Sequence, residues 1–156
     1  MIYVLGLIVV LLAAHSLYVA VGGIVEGAGG PNFISPGDIR IVAENAGFSG
    51  SDLITAVAIA LAESGGNTNA YNPEILANTP TGEGSKGLWQ IYTKVHPELD
   101  NNLFDPQENA NAAYTVYSQA GGSFHPWSTF KNNAYSAHLD TANSAMDTID
   151  FGSGDV

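Results

Sequence analysis

Apolar positions are unevenly distributed along the chain. From Met1 to Val25 they run almost without interruption and without a formal charge, the first charged residue being Glu26. A helix of about 20 apolar residues spans a bilayer core, so this run reads as a transmembrane anchor, with residues 2–25 in contact with lipid. A cleaved secretory signal is the other reading. It fits less well, because no Lys or Arg precedes the run, the run is longer than an ordinary signal core, and only Ala20-Val21-Gly22 resembles a cleavage site. Residues 26–34, rich in Gly, read as a flexible linker, residues 35–150 as one folded domain and residues 151–156 as a tail.

Within the domain the pattern becomes helical. Ser35, Pro36 and Asp38 form the cap, first-turn proline and third-position acid of a capping box. Ile39, Val42, Ala43 and Ala46 then share one face, and Gly47 stops the helix. A second helix starts near Ser51 and runs through "DLITAVAIALAE", apolar nearly all round, which predicts a buried central element. A third opens with Asp105, Pro106 and Glu108, carries the stripe Ala110, Ala113, Tyr114 and Tyr117, and ends at Gly121. A fourth is expected from about Asn132 to Asp150, with Ala134, Ala142, Ala145, Met146 and Ile149 along it. Between the second and third lies a long polar segment full of turn residues. Its short apolar run "GLWQIY" is read as a small strand or an irregular loop with Leu88 and Ile91 inward. A loop this long inside a compact domain is usually functional.

Charge narrows the partners. Four basic residues stand against fifteen acidic ones, a formal charge of −11. Nucleic acid is disfavoured, because phosphate neutralisation needs clustered Lys and Arg, and here the acidity keeps a chain that is 46% apolar in solution. There is no cysteine, so disulfides and thiolate chemistry are excluded. The histidines at 15, 96, 125 and 138 have no metal-ligand spacing, and no glycine-rich phosphate loop follows a strand. No metal and no cofactor is expected.

One residue stands out on physical grounds. The buried second helix ends "ALAESGGN", placing Glu63 at the carbonyl end of the helix dipole, which disfavours an anion by roughly 0.3–1 kcal/mol. A neutral, proton-carrying carboxyl suits that position better. The alternatives are a frayed, solvated helix end or a pairing with Lys86. Gly65 and Gly66 read as a helix C-cap that also leaves space beside the glutamate.

Six blocks occur in order from this point: "ESGGN" at 63–67, "AYNP" at 70–73, "GSKGLWQI" at 84–91, "HPEL" at 96–99, "DPQENANAAYTVY" at 105–117 and "FHPWSTF" at 124–130. Together they resemble the lysozyme-like domain of phage tail-associated and virion-associated muralytic proteins, within the lytic transglycosylase and goose-type lysozyme superfamily. The resemblance covers roughly residues 36–135. It implies a mainly α-helical, lysozyme-like fold with a peptidoglycan cleft, and Glu63 as the catalytic acid and base. It also implies Gln90 as a glycan-bonding residue with Trp89 and Ile91 beside it, and Asn109 and Tyr114 near the glutamate. Ser64 and Gly65 belong to the same substrate-side group, and Trp127 is a structural or cleft-wall aromatic. Core packing is the competing role for Trp89 and Trp127, and a helix-surface or core-bonding role for Asn109. Tyr92 departs from the related domains, which often carry Asn there.

The expected activity is cleavage of the β-1,4 bond between N-acetylmuramic acid and N-acetylglucosamine. One carboxyl suffices if the muramic 6-hydroxyl closes a 1,6-anhydro ring, as in a lytic transglycosylase. Hydrolysis by an inverting muramidase needs a second carboxylate about 6.5–9.5 Å away, for which Glu74, Glu83 and Asp100 are candidates. The transglycosylase is the favoured outcome; a catalytically inactive wall-binding or structural membrane protein is the reading from another class. Anchor and domain together suggest a virion protein used in penetrating the cell wall, alongside virion membrane or capsid proteins, or a host-envelope enzyme facing the wall.

Overall fold

The computed structural model describes residues 32–147, and the expected anchor, most of the linker, residues 148–150 and the tail lie outside them. Among the described residues no helix is long and apolar enough to cross a membrane. The architecture is mainly helical, with one small antiparallel sheet inserted between the second and third helices.

Helix α1 spans Pro36–Ala46 and starts where the sequence places it. The Ser35 hydroxyl accepts from the Asp38 amide at 3.1 Å while the Asp38 carboxylate accepts from the Ser35 amide at 3.0 Å. Two amide donors at the helix start, which have no intrahelical partner, are thereby satisfied. Helix α2, Gly50–Ser64, is the buried centre: Leu53, Val57 and Ile59 are lost from solvent together with Ala56, Ala58 and Ala60. Each of the larger three contributes roughly 1.5–3 kcal/mol by burial, and the alanines between them let neighbouring elements approach closely. Helix α1 packs on α2 and also on α3, Pro106–Gln119, whose cap Asp105 accepts from the amides of Gln107 and Glu108.

The fourth helix differs from expectation. In place of one helix from Asn132 there are a short α4, Ser128–Lys131, a 3-10 turn, Ala134–His138, and α5, Leu139–Met146. The break is local chemistry. The Asn132 side chain accepts from the Ala134 amide at 3.0 Å, and Asn133 sits in the left-handed region at φ 63°. Short polar side chains that bond their own backbone compete in this way with helix propagation.

Within the long polar segment, the end of "GLWQIY" forms the small strand that is one of its two readings, with Leu88 and Ile91 buried, and the residues before it add strands that the pattern does not show. These added strands form a hairpin, β1 (Tyr71–Leu76) with β2 (Thr79–Lys86), closed by Ala77 and Asn78, both at positive φ, as a two-residue hairpin turn requires. The two-residue β3, Ile91–Tyr92, pairs with the far end of β2. The hairpin tip projects from the body, with Ile75 and Leu76 exposed.

One lock joins the sheet to the helices. Asn109, fully buried on α3, accepts from the Trp89 amide at 2.8 Å and donates to the carbonyls of Lys86 and Leu103 at 2.9 Å each. Gly87 makes room for it: a Cβ there would lie 2.3 Å from the Asn109 amide nitrogen and 2.2 Å from the Leu103 oxygen. The Trp89 indole, also fully buried, donates to the Ala56 carbonyl of α2 at 2.9 Å, and the Trp127 indole donates to the Trp89 carbonyl at 2.8 Å. The turn between β2 and β3 is thus tied to α2, α3 and the approach to α4.

Candidate active site

Glu63 lies in the last turn of α2, half-buried. The helix terminates directly after it. Gly65 takes the left-handed C-cap conformation, its amide bonding the Leu61 carbonyl at 2.9 Å, and the Ser64 hydroxyl donates back to Ala60 and accepts from the Gly66 amide. This sharp stop fixes the position of the carboxyl group. Its Oε1 accepts from the Thr129 hydroxyl of α4 at 2.7 Å, and Oε2 has no hydrogen-bond partner among the described residues. The pairing with Lys86 does not form, because Lys86 is held by both oxygens of Asp100 at 2.8 and 2.9 Å.

Glu63 lines a cleft of about 460 Å³. The hairpin supplies one wall through Asn72, Pro73, Glu74 and Ser85; Pro126, Trp127 and Ser128 supply another, and Gln90 and Tyr92 complete it. A second hollow of about 260 Å³ shares Gln90, Tyr92, Pro126 and Trp127 with the first and continues over Ile91, Val95 and His96. The two meet at Gln90, Tyr92, Pro126 and Trp127 to form one groove with an apolar extension, within the size range of ordinary ligand sites.

Gln90 stands where both parts of the groove meet. Its backbone is in the left-handed region at φ 48°, and its side-chain nitrogen donates to the carbonyls of Ala70 (3.1 Å) and Gly87 (2.9 Å). A non-glycine residue held there costs energy that the surrounding hydrogen bonds must offset. With its nitrogen occupied, the amide oxygen remains as an acceptor.

The other carboxylate of the cleft is Glu74. Its Oε1 accepts from Lys94 at 2.7 Å and from the Tyr92 hydroxyl at 2.9 Å. Lys94, then Tyr92, hold the Glu74 carboxyl below its ordinary range. The same contacts with Glu74 push both Lys94 and Tyr92 above theirs. All three shifts favour the arrangement of an anion between a cation and a phenol. Glu83 and Asp100 are not among the residues that line the cleft.

The structure separates the residues singled out in the sequence. Glu63, Gln90, Ile91 and Trp127 line the groove. Trp89 and Asn109 lie behind it, fully buried in the lock between sheet and helices. Tyr114 faces Gly47 and meets the Phe48 ring edge-on at 5.1 Å, within an aromatic cluster that also holds Tyr117 and Phe124. Ser64 and Gly65 shape the helix end and do not line the groove. Gly66 leaves room for backbone: a Cβ on it would lie 2.8 Å from the Ile34 carbonyl oxygen. Asn72, Ser85, Ser128 and Thr129 carry no separate signal in the sequence beyond lying in or next to the quoted blocks.

A family model described as "Lysozyme like domain" matches residues 40–129, more than half of the chain, and the match takes in every residue that lines the groove. No curated protein and no solved structure shows a significant match.

Proposed function

The chain belongs to the lysozyme-like domain family, and from that membership and the groove around Glu63 we propose that it is a lytic transglycosylase of peptidoglycan. Peptidoglycan is the substrate the family implies. The observation that carries the choice of reaction is the state of the second carboxylate. Glu74 shares the cleft, but Lys94 and Tyr92 occupy its Oε1 and hold its carboxyl low. A general base works best when its affinity for a proton matches the working pH, so a carboxylate held this way is a poor activator of water. Glu63 has no cation beside it among the described residues, its partner being the Thr129 hydroxyl on Oε1, with Oε2 left open.

Glu63 then acts twice. As an acid it protonates the glycosidic oxygen; the bond to the muramic C1 breaks, its electron pair goes to the departing N-acetylglucosamine oxygen, and positive charge develops on the ring. As a carboxylate it takes the proton of the 6-hydroxyl, whose oxygen closes on C1 to form the 1,6-anhydro ring. Gln90 supports this by offering an acceptor to the glycan, and Trp127 by its apolar edge on the groove.

Inverting hydrolysis is the second reading, favoured by Glu74 lying in the same cleft as Glu63. Mass spectrometry of peptidoglycan digested by the full chain, Glu63→Gln and Glu74→Gln distinguishes them. Anhydro products from wild type and from Glu74→Gln, and none from Glu63→Gln, are expected. Reducing-end products that disappear in Glu74→Gln would establish the muramidase instead.

The setting is proposed on sequence alone. The uncharged run from Met1 to Val25 supports a single-pass membrane protein of a virion or host envelope, used in penetrating the cell wall. Release of the full chain from membranes by alkaline carbonate would refute the anchor.

A further inference from the structure

We propose that Thr129 is the positioning residue for Glu63, fixing which carboxyl oxygen carries the transferable proton. The inference rests on Glu63 being the acid.

Thr129 is 66 residues from Glu63 in the chain, yet its hydroxyl donates to Glu63 Oε1 at 2.7 Å. It has no other hydrogen-bond acceptor among the described residues, so its proton is directed to this oxygen. The element that presents it is well held. Trp127, just before α4, is buried and bonded through its indole to the Trp89 carbonyl; Lys131 closes back on Trp127 at 3.2 Å and Asn132 on Ser128 at 2.9 Å. The Phe130 ring, next to Thr129, packs on Phe124 and Tyr135. The hydroxyl therefore meets the carboxyl at a fixed place.

Chemistry makes the consequence specific. A carboxylic acid has one oxygen that carries the proton and one that only accepts. While Thr129 donates to Oε1, the proton is confined to Oε2. If it moved to Oε1, the threonine hydroxyl would have to turn and accept it, which would lose its own acceptor and withhold the proton from the glycan. Once Oε2 has given its proton to the glycosidic oxygen, the same donor remains on the anion without rearrangement, the kind of fixed dipole that stabilises charge as it develops. Oε2 is then vacant to receive the proton of the 6-hydroxyl. One hydroxyl thus serves both halves of the reaction without touching substrate.

The test compares kcat and KM of the full chain with those of Thr129→Val, Thr129→Ser, Thr129→Ala and Glu63→Gln on soluble peptidoglycan fragments, with thermal midpoints measured alongside. Valine keeps the shape and removes the hydroxyl; kcat is expected to fall about 10- to 100-fold, the range for a misaligned catalytic group, with KM changed less than about twofold. Serine should restore kcat to within about threefold of wild type. Alanine removes the hydroxyl without placing a methyl against the carboxyl, and should show the same loss of about 10- to 100-fold in kcat if the thermal midpoint shows that valine folds poorly. Wild-type kcat in either hydroxyl-free variant, or a loss in serine equal to that in valine, overturns the proposal while leaving Glu63 as the acid. Activity surviving in Glu63→Gln overturns both.

Discussion

Replacing Asn109 with alanine should destabilise the domain without changing how it binds glycan. The side chain makes three hydrogen bonds in a fully buried position: one accepted from the Trp89 amide and two donated to the Lys86 and Leu103 carbonyls. Alanine strands the Trp89 N–H, and an unsatisfied buried group costs about 1–3 kcal/mol. The two carbonyls lose a donor each, a smaller penalty because a carbonyl has a second lone pair, and a small cavity adds to it. The sum is roughly 3–5 kcal/mol, a large fraction of the 5–15 kcal/mol that holds a typical domain together. For a domain of this size that lowers the thermal midpoint by roughly 12–20 °C. Circular dichroism against temperature and urea, on the full chain in detergent, measures both. At a temperature where the variant is still folded, KM should match wild type. A variant within about 1 kcal/mol of wild type but with KM raised tenfold would refute the lock and place Asn109 in the groove.

Two other contacts give outcomes that are as direct to measure. Gly87→Ala should be at least as damaging as Asn109→Ala, because its Cβ would overlap the Leu103 oxygen and the Asn109 amide and because φ +73° disfavours any side chain; soluble expression and the thermal midpoint report it, and a wild-type midpoint would contradict the geometry. Tyr117 donates to Asp52 at 2.6 Å, and that carboxylate pushes the phenol up to about 12, against about 10 unfolded. The sign is that of a raised acid: its contribution is complete below pH 10 and is lost as pH rises through 12. Urea titrations of wild type and Tyr117→Phe should therefore differ by a constant amount at pH 7–9 and converge towards pH 11–12; a gap that widens there would reverse the assignment.

Helices α1, α2 and α3 are legible in the sequence because their signals are local. Ser35 with Asp38, and Asp105 before Pro106, are caps that read the same in sequence and in space. The hairpin is not, because Pro73 and Pro80 interrupt any alternation and β1 finds its partner only through pairing with β2. The fourth helix reads as too long because its alanine stripe continues past two asparagines, Asn132 bonding the backbone ahead of it and Asn133 holding a left-handed conformation. At the site, the position of Glu63 at a helix end is visible, since an apolar run ending at a charge before two glycines has few other forms. Its partner Thr129 is not, because no local pattern connects residues 66 apart. The same holds for Glu74, whose tie to Lys94 depends on β3 returning to the sheet that holds β1. Asn109 and Trp89 fall within matching blocks but serve as the scaffold of the groove, a distinction that spacing does not carry.

The two glycines after Glu63 have different tasks, and the second bears on how the domain would be held. Gly65 supplies the left-handed cap; Gly66 lets the chain at Ile34 lie against it, with the Ile34 amide on the Gly66 carbonyl at 3.1 Å. Thr68 adds its amide and hydroxyl to the Asn32 carbonyl at 2.8 and 3.1 Å, and Phe33 pairs with Asn67. The last three residues of the expected linker, 32–34, are therefore stitched to the loop that comes after Glu63, at the C-terminal end of α2. On the proposed anchoring through residue 25, only about six residues remain between the apolar run and this fixed point, and six residues reach at most about 20 Å when fully extended. Any pull from the membrane would then arrive beside Glu63, the proposed acid, and the groove would be limited to glycan strands in the layer next to the bilayer. That restricts such an enzyme to opening the wall locally, at the place where its membrane already lies.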